Sequence, residues 1–79
     1  MDKLAKTRKK IDKIDKIISK NLRKRLKEVR KIGEIKKNYN SPVEDQEREA
    51  HVMSSLETEF EKNIFKTILE ESRKAQREL

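Results

Sequence analysis

The chain has no cysteine, and only one histidine, one proline and one glycine among its 79 residues. Without cysteine there is no disulfide framework, no thiolate nucleophile and no zinc–thiolate centre. A lone histidine, His51, cannot build a multi-histidine metal site, and it reads as a surface side chain. Apolar runs are short as well. None approaches the roughly 18 residues of a membrane span, and the opening MDKLAKTRKK holds no apolar stretch of signal-peptide length. No membrane partner, metal or cofactor is expected, and the expected compartment is the cytoplasm.

What the chain has in abundance is charge. Lys and Arg number 22 against 15 Asp and Glu, giving a net charge of +7, while hydrophobic residues make up 32%. Such a balance also describes disordered tails. Periodic aliphatic residues, with so little Gly and Pro, point instead to long uninterrupted helices. The positive excess favours anionic partners without saying whether they are nucleic acid, lipid or a small metabolite.

The first segment, about 3–37, has no breaker except Gly33. At 100° per residue, Leu4, Ile11, Ile14, Ile18, Leu22, Leu26, Val29 and Ile32 share one arc of about 120°. A helix of that length runs about 50 Å, whereas a compact globule of this size is about 30 Å across. The apolar stripe therefore needs cover from a second chain, and a dimer is expected. Asn38 to Ser41 reads as a turn. Ser41, Pro42 and Glu44 then predict a helix start with Ser as N-cap, giving a second helix over about 42–56 that buries Val52 and Leu56. A third helix is expected over about 59–78, with Phe60, Ile64, Phe65, Ile68, Leu69 and Leu79 toward the core. Either Thr58 with Glu61 or Ser54 with Glu57 can form a capping box at its start. No Gly or Pro enforces that break, so one continuous helix from Pro42 to Glu78 is the alternative. The fold class is all-α, with one long and two shorter helices.

Polar residues interrupt the apolar faces at regular places. Arg8, Arg25 and Lys36 lie on the seam of the first helix, and buried cations are costly unless they meet an anion. Asp45 and Glu49 share a face with Val52 and Leu56, and Ser72 and Gln76 sit one turn apart inside the arc of Phe65, Ile68 and Leu69. Converged, these groups form a polar pocket inside a helical bundle. Each has a plainer reading. Arg and Lys stems pack on apolar edges with their heads in water, Asp45 serves a helix N-terminus, and Ser72 and Gln76 are tolerated on an exposed stripe. Arg23, Lys24, Lys27, Lys31 and Lys37 are most simply a solvated face, and Tyr39 a turn residue.

Arg8 followed by IDKID (11–15), then Arg25, GEIKK (33–37), SPVEDQERE (41–49) and ILEESRKAQ (68–76) resembles the chorismate mutases of the all-helical, intertwined-dimer type. The likeness covers nearly the whole chain. It implies two entwined three-helix chains and two equivalent sites, each drawing on both chains, with chorismate as substrate. By position, Arg8 resembles the arginine that reaches from the partner chain to a substrate carboxylate, and Arg25 the same-chain arginine for the other carboxylate. Lys36 and Gln76 resemble the donors aimed at the ether oxygen of the breaking bond. Asp45 and Glu49 resemble the groups that receive the ring hydroxyl, Arg48 a helper at that end, and Ser72 a further carboxylate contact. The implied reaction needs no cofactor, nucleic acid or membrane.

One spacing departs from the family pattern. Glu49 to Ser72 is shorter by about two helical turns. On one continuous rod these residues would stand roughly 34 Å apart. Either a tight turn falls between about Ser54 and Thr58, or a partner supplies the third helix. Two other classes compete with the enzyme reading: a basic helical nucleic-acid binder, suggested by the net charge, and a coiled-coil assembly module, whose seam Arg8, Arg25 and Lys36 would interrupt too often.

Overall fold

The computed structural model describes residues 2–78; Leu79, assigned above to the core, lies outside them. Three helices follow one another: α1 (Asp2–Asn38), α2 (Gln46–Ser54) and α3 (Glu59–Arg77). The molecule measures 56 × 23 × 15 Å, with a radius of gyration of 16.1 Å. A compact chain of this length would have a radius of gyration of about 12 Å. The excess is α1, whose N-terminal half projects beyond the rest of the chain. No helix among the described residues is long and apolar enough to cross a membrane.

The end of α1 is set by a Schellman arrangement. Ser41 N–H donates to Lys36 C=O (2.8 Å), and Asn40 N–H to Lys37 C=O (3.3 Å). Asn40 takes φ 55°, a left-handed conformation that Asn tolerates better than most residues. This arrangement overturns the expected start of α2. Ser41 closes α1 instead of capping α2, and Pro42 to Glu44 form a bridge. The cap is Asp45, whose Oδ1 accepts from Arg48 N–H at 3.0 Å.

The break between α2 and α3 is real and needs no Gly or Pro. Ser54 and Ser55 hydroxyls donate to the carbonyls of His51 and Val52, both at 2.7 Å, and so occupy the orphan acceptors of the last turn. Thr58 then opens α3. Its Oγ1 accepts from Glu61 N–H (3.1 Å), and Glu61 Oε2 accepts from Thr58 N–H (2.7 Å) and Glu57 N–H (3.0 Å). Of the two possible boxes, Thr58 with Glu61 forms. Ser54 is already committed to His51. The hydrogen bonds to Thr58 and Glu57 hold the Glu61 carboxyl below its ordinary pKa.

α3 lies along the C-terminal half of α1 in the same sense, and α2 rests on α3. Among the described residues the buried hydrophobic side chains are Val29, Leu69 and Ala75. Val52, Leu56, Phe65 and Ile68 are half-buried. Phe60 and Ile64 are not core as expected: they are 75% and 47% exposed. The apolar residues of the N-terminal half of α1 are exposed too, including Leu4, Ile11, Ile14 and Ile18. One chain does not cover its own stripe.

Candidate active site

Where α1, the 43–49 segment and α3 meet, a cavity of about 270 Å³ opens. Arg25, Lys36, Asp45, Arg48, Glu49, Ser72 and Gln76 all line it, with Val29, Ile32, Val52 and Leu69 as apolar walls. The turn at Ser55–Thr58 makes this possible within one chain, because it folds α3 back and brings Ser72 and Gln76 beside Glu49. Arg8 does not join them. It sits exposed on α1, about 25 Å along the helix from Arg25.

Arg25 and Lys36 reach the cavity from the α1 seam, about three turns apart. Arg25 is half-buried, and its Nη1 donates to Ser72 Oγ, which itself donates to Ile68 C=O at 2.6 Å. Burial, and then the charge of Arg48, lower the Arg25 pKa from its usual value. Lys36 Nζ donates to Val43 C=O at 2.7 Å. Both cations are thus held by neutral oxygen atoms, and neither forms an ion pair with a carboxylate among the described residues. At half-buried positions that arrangement leaves positive charge uncompensated.

On the far wall, Gln76 Nε2 donates weakly to Ser72 C=O at 3.3 Å, leaving its second N–H uncommitted. Gln76 Oε1 is buried and has no hydrogen-bond partner among the described residues. A buried amide oxygen left unpaired costs on the order of 1–3 kcal/mol. Asp45 is committed to capping α2, so its cavity-facing role is shared with a structural one.

Glu49 brings in a residue that the sequence reading passed over. Arg73 Nη1 donates to both carboxylate oxygens, at 2.6 and 2.8 Å, and both side chains are about a quarter exposed. The bond to Glu49 raises the Arg73 pKa further. Arg73 lies inside the ILEESRKAQ stretch, three residues before Gln76 and four after Leu69. That spacing aims it at the cavity edge, which was the available signal.

A family profile described as "Chorismate mutase type II" matches residues 7–77. The chain belongs to the chorismate mutase type II family. Its fold is similar to that of a conserved hypothetical protein from Pyrococcus furiosus, at 44% identity and a TM-score of 0.85, over 92% of this chain and 93% of that one. No curated protein matches the chain. A family match across nearly the full length makes this chorismate mutase an enzyme, of the type that isomerises chorismate to prephenate.

Proposed function

We propose that the 270 Å³ cavity carries out the Claisen rearrangement of chorismate to prephenate, in the cytoplasmic synthesis of phenylalanine and tyrosine. The observation that carries the reading is the pair of half-buried cations, Arg25 and Lys36, held only by neutral oxygens. A dianion supplies what both lack.

The reaction is unimolecular: the ether C–O bond breaks as a C–C bond forms, with no nucleophile and no proton transfer. Catalysis therefore consists of holding the folded, reactive shape and stabilising the charge that grows on the ether oxygen. Arg25, seated on Ser72, grips one carboxylate with a planar guanidinium suited to that shape. Lys36 exchanges Val43 C=O for the ether oxygen and is joined there by the uncommitted N–H of Gln76. Glu49, with Asp45 behind it, accepts the ring hydroxyl, and Arg48 flanks that end. Ser72 adds a contact to the carboxylate held by Arg25.

With Lys36 given to the ether oxygen, Arg48 to the hydroxyl end and Arg73 to Glu49, the second carboxylate is left without a cation from the same chain. Arg8 of a partner chain fills that need in an intertwined homodimer. Two features favour this assembly. The stripe from Leu4 to Ile18 is exposed, and a neighbouring groove of about 630 Å³, lined by Leu22, Leu26, Ile64 and Ile68, lies open beside the cavity. Burying both removes apolar surface from water at about 25 cal/mol per Å². The test is the loss of chorismate's ultraviolet absorbance on mixing with the protein. Acceleration over buffer supports the proposal, and no acceleration by a folded dimer rejects it.

A further inference from the structure

We propose that Arg73 is a positioning residue for this reaction, fixing Glu49 so that the site discriminates in favour of substrates carrying the ring hydroxyl. The inference rests on the reading of Glu49 as the acceptor of that hydroxyl.

The geometry is specific. One nitrogen of Arg73 bridges both oxygens of Glu49, at 2.6 and 2.8 Å. A carboxylate offers about four lone-pair sites, so a bridging donor uses one on each oxygen and leaves the others available. Held from one side by both oxygens, the carboxylate is restrained from rotating about its terminal bond, so its remaining lone pairs keep one orientation toward the cavity. Both residues line the cavity that holds Arg25, Lys36 and Gln76.

The pair also differs from the other ion pairs among the described residues. Lys31–Glu28, Lys62–Glu59 and Lys74 with Glu70 and Glu71 lie within single helices on exposed surface. Arg77–Glu44 crosses between segments but has both side chains more than half exposed. Of these pairs, Arg73–Glu49 alone is half-buried, joins two elements and faces a cavity. A surface ion pair contributes little, whereas a desolvated, bridging one holds its geometry.

The effect passes through Glu49 to one substrate group, which separates it from mere support of α2. The experiment measures kcat and KM for wild type, Arg73→Met, Arg73→Lys and Glu49→Gln. The two substrates are chorismate and an analogue lacking the ring hydroxyl, with helicity and mass checked for each variant. Losing a charge-assisted bond to the positioned acceptor is expected to lower kcat/KM for chorismate about tenfold in Arg73→Met. Arg73→Lys should recover most of that loss. On the analogue, wild type and Arg73→Met should agree within about twofold. An unchanged rate on chorismate, an equal loss on both substrates, or a lysine variant no better than methionine overturns the proposal. If Arg73→Met loses its helicity, Arg73→Lys carries the same comparison, with a smaller loss still confined to chorismate. A Glu49→Gln variant as fast as wild type on chorismate would instead remove the role given to Glu49, and the inference with it.

Discussion

At the scale of single residues, the site is defined by charges whose partners are neutral. Arg25 rests on a hydroxyl and Lys36 on a backbone carbonyl. Replacing either with Ala should lower kcat about 10²- to 10³-fold, the usual cost of losing a donor that meets charge in the transition state. Helicity and oligomeric mass should be unchanged, since neither side chain holds a carboxylate of its own chain. Steady-state rates with circular dichroism check this, and retained turnover would show that the wrong groups are assigned. Ser72→Ala is milder. It removes a neutral anchor of Arg25 worth about 1 kcal/mol, so kcat/KM should fall about fivefold.

At the scale of elements, the capping box of α3 decides whether there is a site at all. If Thr58 and Glu61 failed to start a helix, α2 and α3 could fuse and carry Ser72 away from Glu49. Thr58→Ala should cost about 1 kcal/mol of stability, read as a lower thermal midpoint. The pH dependence follows from the depressed Glu61 pKa. A lowered folded-state pKa gives stability that is present above the unfolded value and is lost as pH falls through the folded one. The thermal midpoint of Glu61→Ala should therefore lie below wild type at neutral pH, and the gap should close on acidification into the carboxylate range. A gap that persists in acid would mean the ionised carboxylate is not what caps the helix.

The same elements show where sequence reasoning reached and where it stopped. The amphipathic period of α1 and the Thr58–Glu61 pattern are local, and both could be read from spacing. The start of α2 could not. Ser41-Pro42 has the local chemistry of a helix start, but Ser41 N–H is taken by the end of α1, a bond set by Asn40 adopting a left-handed conformation. Convergence of Arg25, Lys36, Glu49, Ser72 and Gln76 on one cavity could be anticipated because each interrupts an apolar face. Arg73 was legible only in part: its spacing from Leu69 and Gln76 puts it at the margin of the packing face, but only the fold shows that Glu49 stands opposite. Phe60 and Ile64 have core-type side chains, yet a single chain leaves both exposed, with Ile64 on the wall of an open groove.

At the scale of the whole molecule, the shape carries the argument for assembly. The molecule is 56 Å long, and every residue of its apolar stripe except Val29 is exposed, which is the surface the proposed dimer would cover. Ile14→Glu, placed on that stripe far from the cavity, should disrupt dimerisation and lower stability together, seen as a fall in mass by light scattering and a loss of helicity. The central claim is that each site joins Arg25 of one chain to Arg8 of the other, and one complementation measurement tests it. Arg8→Ala and Arg25→Ala homodimers lack a needed cation in both sites and should each be nearly inactive. Mixed and allowed to exchange subunits in equal amounts, half the dimers are hybrids, each with one intact site, so activity should rise to about one quarter of wild type. Activity that stays at the level of the two parents after exchange would contradict the shared site.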